Sequence, residues 1–327
     1  MSTVFVTGGS GLIGRALVQR LLARADEVVA LARSPESDAL LRGLGAKVAP
    51  GDVLDEDAMC AGMRGCSVVF NVAGVNTLCV EDVQAMMQAN VEGSAAVVRA
   101  AARAEVPRVV HTSSAATIGE PQGAIGHEET PHRGWYLSTY ERSKTEGERA
   151  AFEVGRHMGV EVVCVNPSSV QGPGRAGGTA RFLLAFLDGR LKVFVPTNVS
   201  LVDVADCIEG HLLAAEHGAA GERYLLNGMT LTITEALALA SEVAGVGGKP
   251  RLLPRPLAIA AASSAEYGFR LVRRRPPVCR EMVRTLLHGH RYDGSRATRE
   301  LGLRYTNPRE TVRRTVEWAR GAGLLSR

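Results

Sequence analysis

The feature that most constrains the fold is a short β-branched run that leads through a glycine-rich turn into a helical period. The run is Thr3–Thr7, and apolar residues spaced three or four apart follow the turn over Leu12–Ala25. Glycines at 8, 11 and 14 allow a tight turn and a close approach of helix to strand, and they leave backbone amides open to a pyrophosphate. Placed between a first strand and a first helix, this turn predicts a dinucleotide site.

Strand-like runs and helical periods alternate through the first half of the chain. Further runs occupy Glu27–Ala32, Ala46–Ala49, Ser67–Asn71, Arg108–Thr112 and Val160–Val165, and a second long helical period covers Val83–Ala104. This alternation is typical of a parallel sheet with helices on both faces. We therefore predict a doubly wound α/β sheet of the Rossmann type.

The pattern changes after Asn166, where loops rich in Pro and Gly separate short helices and isolated strands at Leu201–Val204 and Tyr224–Leu226. We predict a dinucleotide-binding domain over residues 1–165 and a smaller, interleaved C-terminal substrate-binding annex over 166–327. Parts of 195–230 are expected to continue the main sheet. The last helix is predicted to start at Asn307 as cap, with Pro308 in its first turn and Glu310 reaching back toward the cap.

Composition excludes several classes of protein. A chain of 327 residues with 46% hydrophobic and 22% charged residues is neither disordered nor collagen-like. We see no secretory pattern and no apolar stretch long enough for a membrane span, so we expect a cytoplasmic protein. Six cysteines without a C-x-x-C pair predict buried reduced thiols. His288 and His290 form a close pair that nothing nearby in the sequence completes, so we predict no metal site.

The net charge of +4 implies no partner by itself, although the second half of the chain carries a basic run. This run could serve an acidic substrate or a membrane surface, or it could be a solvated helix face in an arginine-rich protein. Aromatic residues do not interleave with it, so we predict no nucleic-acid partner. The run consists of Arg270, Arg273, Arg274, Arg275, Arg280 and Arg284.

The second strand indicates which dinucleotide binds. It ends Ala32-Arg33, without the acidic residue that pairs with a ribose 2′-hydroxyl, and an arginine there accommodates a 2′-phosphate. NADP is therefore favoured, with NAD as the alternative if Arg33 is only a surface residue. Asp52-Val53 after the third strand could bracket the adenine, and the small residues Val72-Ala73-Gly74 after the fourth let a cofactor lie against the backbone.

The strongest catalytic candidate is the pair Tyr140 and Lys144. Residues four apart share a helix face, and a nearby cation stabilises a phenolate, so the pair can act as acid or base nearer neutral pH. Only four of the 38 basic residues are lysines, so a lysine four residues after Tyr140 is stronger evidence for a functional pair than it would be in a lysine-rich chain. The alternative is an amphipathic helix with a partly buried tyrosine.

Hydroxyl residues follow the fifth strand, at the edge where open α/β sheets bind ligands. Ser114 there could hydrogen-bond a carbonyl under reduction, or the turn could have no chemistry. His111 is expected to be a satisfied strand histidine. Asn90 is a poor helix former inside a helical period, so it could hold a water or a backbone group behind the site, or be an ordinary surface amide.

In combination, these motifs resemble the extended short-chain dehydrogenase/reductase family, over about residues 2–245. The nearest resemblance is to its dihydroflavonol reductase-like branch, which includes hopanoid-associated sugar epimerase homologues. The motifs are Thr7-Gly8-x-x-Gly11-x-x-Gly14, Asp52-Val53, Asn90-Val91-Glu92-Gly93, Thr112-Ser113-Ser114, Tyr140-x-x-x-Lys144, Asn166-Pro167 and Leu201-Val202-Asp203-Val204-x-Asp206.

The resemblance implies a role for each matching residue. Tyr140 would donate or accept the proton, Lys144 would bind the nicotinamide ribose and lower the pKa of the phenol, Ser114 would orient the substrate carbonyl, and Asn90 would support a proton relay. It also implies a homodimer. The predicted cofactor-binding residues are Thr7, Gly8, Ser10, Gly11, Leu12, Ile13, Gly14, Arg33, Asp52, Val53, Val72, Ala73, Gly74, Thr112, Tyr140, Lys144, Pro167, Ser169 and Val170.

Departures from the family narrow the reaction. Ala115-Ala116 stands where the 4,6-dehydratases have an Asp-Glu pair, and Pro196–Ser200 stands where sugar epimerases carry an arginine, although Arg175 and Arg181 remain nearby. We predict an NADP-dependent ketone reductase or alcohol dehydrogenase for a moderately apolar small molecule. The alternatives are a sugar epimerase with tightly held NAD and a non-catalytic dinucleotide sensor. The loops 76–81 and 119–134 are expected to edge the pocket.

Overall fold

Strands and helices alternate along the first half of the chain, close to the predicted positions. The computed structural model describes residues 2–246, 248–271 and 278–325. Its strands are β1 (Thr3–Thr7), β2 (Glu27–Ala32), β3 (Lys47–Pro50), β4 (Val68–Asn71), β5 (Arg108–Thr112), β6 (Glu161–Pro167), β7 (Ser169–Gln171), β8 (Val193–Phe194), β9 (Asn198–Asp203), β10 (Arg223–Leu226), β11 (Met229–Thr232) and β12 (Arg251–Leu252).

The helices fill the intervals and dominate the second half. They are α1 (Leu12–Ala23), α2 (Pro35–Leu44), α3 (Glu56–Met63), α4 (Val83–Met87), α5 (Gly93–Arg103), α6 (Thr139–Met158), α7 (Ala180–Leu187), α8 (Val204–His217), α9 (Ile233–Ala244), α10 (Arg255–Leu271), α11 (Arg280–His288), α12 (Ser295–Leu301) and α13 (Pro308–Gly321). The predicted helix over 83–104 is interrupted, because a π-helical turn at Gln88–Glu92 separates α4 from α5. Such turns occur frequently at functional sites.

Seven strands form one parallel sheet in the order β10-β6-β5-β4-β1-β2-β3. The chain runs outward from β1 to β3 and then crosses to β4 on the other side of β1, so the topological switch point lies between β1 and β4. Thr7 and Asn71 are register partners there, at the carboxyl ends of the two strands. Ligands of open α/β sheets bind at this position.

Both faces of the sheet are covered by apolar layers. Leu17 and Leu21 of α1 pack with Leu212 of α8 on one face. On the other face, Met59 of α3 packs with Ala151 of α6 and with buried residues of α5. Burial of each layer removes apolar surface from water and fixes where the strand ends point. The doubly wound α/β sheet predicted from the sequence is confirmed.

The second half adds two small sheets and further helices. β7, β9 and β11 form a three-stranded sheet, and β8 pairs with β12. Asn307 accepts a hydrogen bond from the Arg309 amide at 2.9 Å and caps α13. The Glu310 carboxylate pairs with Arg313 at 2.6 Å, so our expectation that it returns to the cap is wrong. The Arg313 guanidinium, one turn further along α13, attracts the Glu310 carboxylate away from the helix cap.

The expectation of reduced thiols is wrong for two of the six cysteines. Cys79 and Cys279 form a disulfide across 200 residues of sequence. The start of α11 packs against the loop after β4 and brings their Cα atoms to 6.0 Å, a contact that spacing in the sequence does not encode. The remaining cysteines, Cys60, Cys66, Cys164 and Cys207, are free and buried as expected.

None of the helices in the described residues is long and apolar enough to cross a membrane. In the basic run, Arg273, Arg274 and Arg275 lie outside the described residues. Arg284 is not simply solvated, because its Nε donates to the Leu137 carbonyl at 2.8 Å, just before α6. This part of the run therefore braces the segment that leads into α6.

Candidate active site

The turn between β1 and α1 requires glycine at two positions. Gly8 has a φ of +67°, and a Cβ there would lie 2.6 Å from the Ala73 amide nitrogen. A Cβ on Gly14 would lie 2.1 Å from the Gly8 carbonyl oxygen. Only glycine combines the left-handed backbone with this close approach. The glycines thus draw the loops after β1 and β4 together.

The N-terminus of α1 is open to an anion. Gly11 caps the helix without a side-chain hydrogen bond, and Ser10 and Gly11 are exposed. The first amides of the helix therefore remain available, and the helix dipole favours negative charge beside Leu12 and Ile13. These residues can face a dinucleotide pyrophosphate, and their role in binding it stays a prediction.

Thr7 braces the two loops at the switch point. Its Oγ1 donates to Asn71 Oδ1 at 2.7 Å and accepts from the Ala73 amide at 3.1 Å. Val72 and Ala73 are half-buried, and Gly74 is exposed. The structure therefore places the small residues after β4 beside the glycine turn, where a cofactor can lie against them.

The residues predicted to select the cofactor lie at the ends of β2 and β3. Arg33 is 83% exposed, and its Nη1 lies 3.6 Å from Asp52 Oδ2. Exposed ion pairs stabilise little, so the guanidinium can turn to another anion at small cost. Val53 packs under this edge, since a Cβ on Gly93 would lie 3.0 Å from its Cγ2.

The start of α6 sets the position of the Tyr140 and Lys144 pair. The Ser138 hydroxyl accepts from the Glu141 amide at 3.1 Å and caps the helix, so Tyr140 falls in its first turn. Lys144 is buried, and its Nζ donates to the Thr112 carbonyl at 2.7 Å. Burial lowers the pKa of Lys144 to about 8. Its charge is thus lost just above neutral pH.

Ser114 and the cationic side chain of Arg175 both act on the phenol of Tyr140. Burial raises the pKa of Tyr140, while the hydrogen bond from Ser114 and the charge of Arg175 oppose that rise. From the sequence, Arg175 was noted only as an arginine that remains near the place where sugar epimerases carry theirs. In the structure its charge acts on the phenol, while Lys144 Nζ donates to the Thr112 carbonyl at the end of β5. The role of Lys144 in lowering the pKa of Tyr140 stays a prediction.

The Asn90 side chain is buried and hydrogen-bonds the backbone of the loop after β4. Its Oδ1 accepts from the Val75 amide at 2.7 Å, and its Nδ2 donates to the Val75 carbonyl and to Ser143 Oγ, both at 2.9 Å. The side chain is buried, so the surface alternative is wrong. Asn90 ties the loop after β4 to the helix of Tyr140, and its part in a proton relay stays a prediction.

The remaining predicted residues frame the site. β6 ends at Pro167, the Ser169 hydroxyl lies 2.8 Å from Thr179 Oγ1, and Val170 is buried. His111 is also buried, but only Nδ1 is partnered, by Asn71 Nδ2 at 3.0 Å. Nε2 has no partner among the described residues. Burial holds the pKa of His111 well below its usual value, so the ring is neutral.

Sequence reasoning missed Glu148, which organises the polar residues behind Ser114. Its Oε2 accepts from Ser113, from Thr117 at 3.0 Å and from Asn166 at 2.7 Å. Its Oε1 lies 3.2 Å from Arg223 Nη1. The available signal was its spacing, because it lies four residues after Lys144 on the same helix face.

These features define the class of protein: a Rossmann fold with a glycine-rich turn at the switch point and with Ser114, Tyr140 and Lys144 near the end of β5. The sequence profile of the NAD dependent epimerase/dehydratase family matches residues 4–226. The chain belongs to this family, and it is an NAD(P)-dependent extended short-chain dehydrogenase/reductase. The predicted family is confirmed.

Named relatives cover nearly the whole chain. Sterol demethylase protein B of Methylococcus capsulatus is 35% identical, over 99% of this chain and 100% of the relative. A putative dihydroflavonol 4-reductase of Synechocystis is 31% identical, over 98% and 95%. The crystal structure of a nucleoside-diphosphate-sugar epimerase from Pseudomonas aeruginosa superposes with a TM-score of 0.80 at 25% identity, covering 99% of each chain.

Proposed function

We propose that the protein is an NADP-dependent reductase of a ketone, or dehydrogenase of the corresponding secondary alcohol, in a moderately apolar small molecule. The observation that carries this proposal is the position of Tyr140 and Lys144 one turn apart on α6, where Lys144 Nζ donates to the Thr112 carbonyl at the end of β5 and Ser114 acts on the phenol. The Synechocystis relative named a reductase supports net reduction. The pocket-edge loop 119–134 also carries an exposed apolar residue, Ile125.

The residues of the chain bind, orient and protonate the substrate. Ser114 and Tyr140 hold the carbonyl oxygen, and Tyr140 delivers its phenolic proton as negative charge develops there. Lys144 anchors the ribose of the cofactor, whose reduced nicotinamide supplies hydride when bound. Ala115 and Ala116 provide neither the acid nor the base that an elimination needs.

The test of the proposed function is turnover of NADPH with a panel of apolar ketones, followed by absorbance. Net oxidation of the cofactor supports the reductase. The likeness to a sugar epimerase favours a second candidate, in which NAD is held tightly and oxidation is transient. Cofactor that stays bound through purification, with turnover of a sugar and no net absorbance change, would contradict our proposal. The division into domains at residue 165, a homodimer and a cytoplasmic location stay predictions.

Arg33→Ala is expected to weaken NADPH binding about 10-fold or more, since a charge-assisted contact to phosphate contributes about 1.5–3 kcal/mol. NADH binding should stay within about twofold, because no 2′-phosphate is present. Fluorescence of the reduced nicotinamide measures both. The matched control is Arg42→Ala, an exposed arginine on α2 paired with Asp38. Equal effects of Arg33→Ala on the two cofactors would contradict selection by Arg33.

Arg175→Gln is expected to move the limb of the kcat/KM pH profile that reports the titration of Tyr140. Tyr140 must be protonated to donate, so kcat/KM falls as pH rises through its pKa. Removal of the Arg175 charge raises that pKa, so this limb should move to higher pH. A limb from Lys144, near pH 8, should not move. The control is the exposed Arg190→Gln, and an unshifted profile in Arg175→Gln would contradict the assignment.

A further inference from the structure

Three side chains with metal-binding atoms converge beside the loop that follows Ser114. Glu120 Oε1 lies 2.7 Å from His290 Nδ1 and 3.4 Å from His288 Nε2. One ligand atom from each residue can be chosen so that all three lie within 4.8 Å of one another. We propose that Glu120, His288 and His290 bind one Zn²⁺ ion. In the structure Glu120 lies beside the histidine pair, for which the neighbouring sequence offered no third ligand.

The burial of this cluster argues for a bound cation. The side chains of Glu120 and His288 are 1% and 4% exposed. Glu120 Oε2 and His288 Nε2 have no hydrogen-bond partner among the described residues. An unsatisfied buried polar atom costs about 1–3 kcal/mol, and a cation bound by the carboxylate would use the free lone pair of His288 Nε2.

A proton is the competing occupant, and it satisfies less of the cluster. A protonated His290 Nδ1 would pair with Glu120 Oε1 but would leave His288 Nε2 unpartnered.

The donor set selects the ion. Two imidazoles and one carboxylate form a set that binds Zn²⁺ with a fourth position open, whereas Mg²⁺ and Ca²⁺ take oxygen ligands. Around a tetrahedral zinc, neighbouring ligand atoms are about 3.3 Å apart. The Glu120 to His288 distance already matches, and the Glu120 to His290 pair must open by about 0.6 Å. His290 is 17% exposed and has room to move.

The ion would join two segments at the edge of the pocket. Glu120 lies just beyond the 3-10 turn Ala115–Ile118 that Ser114 opens, and His288 and His290 lie at the end of α11. Tyr292, whose hydroxyl is 3.0 Å from His290 Nδ1, packs against Ala115 and Ile118. Zinc would thus fix the loop 119–134 to the C-terminal segment, outside the hydride and proton transfers.

The experiment is a titration of tag-free, EDTA-stripped full-length protein with Zn²⁺ against a chromophoric zinc indicator. We expect one equivalent to bind. Glu120→Gln and His288→Gln should each weaken binding by about 100-fold or more, through loss of a ligand. The matched control is His157→Gln, at an exposed histidine away from the cluster, and it should bind zinc within about twofold of the wild type.

Absence of stoichiometric binding in the wild type, or unchanged binding in both cluster variants, would overturn the proposal. Because those variants could also unfold, the wild type is tested with Co²⁺. A visible spectrum of nitrogen and oxygen coordination supports the site. A thiolate charge-transfer band would instead locate the metal at cysteine and overturn it. Neither readout depends on catalytic activity.

Discussion

Tyr140→Phe is expected to lower kcat about 10³-fold while leaving cofactor affinity within about twofold. Phenylalanine keeps the ring in the first turn of α6 but removes the hydroxyl that hydrogen-bonds Ser114. The carbonyl would then lack its proton donor and one of its two hydrogen bonds as charge develops. Single-turnover oxidation of NADPH measures the chemical step, and fluorescence of the bound cofactor measures affinity.

The matched control is Tyr267→Phe, because Tyr267 is 69% exposed and takes no part in the site. It should keep full activity. If Tyr140→Phe retained more than about a tenth of kcat, another group would be the proton donor. If Tyr140→Phe lost affinity for the cofactor as well, the main role of the phenol would be cofactor binding rather than proton transfer.

Glu148→Gln is expected to lower the free energy of unfolding by about 3 kcal/mol, the cost of breaking a buried charged network from one side. The carboxylate accepts on Oε2 from Ser113, Thr117 and Asn166, and it meets Arg223 on Oε1. A carboxamide has one donor group, which must face either the three donors or the guanidinium. Both orientations leave a donor opposite a donor.

Urea unfolding measures this loss, with Glu153→Gln on the exposed side of the same helix as control. The control should change stability by less than about 0.5 kcal/mol. Because Ser113 precedes Ser114, we also expect kcat of Glu148→Gln to fall while cofactor affinity holds. Unchanged stability would mean that Glu148 does not organise the residues behind the site.

Local patterns in the sequence determined the sheet, the glycine turn and the Tyr140 and Lys144 pair. The hydrophobic periods of strands and helices differ, so the alternation of strands and helices could be recognised without knowing any contact between distant residues. Gly8 and Gly14 were identifiable because their role depends on adjacent strand and helix. Tyr140 and Lys144 were identifiable because four residues make one helix turn.

Contacts between distant segments were decided only by the tertiary structure. Cys79 meets Cys279 across 200 residues, Glu120 meets His290 across 170, and the charge of Arg175 acts on Tyr140. Each interaction joins the first half of the chain to the second. No periodicity links such residues, because their proximity depends on how one half packs against the other. The local sequence thus determined the Tyr140 and Lys144 pair, whereas packing decided which charged side chains lie around it.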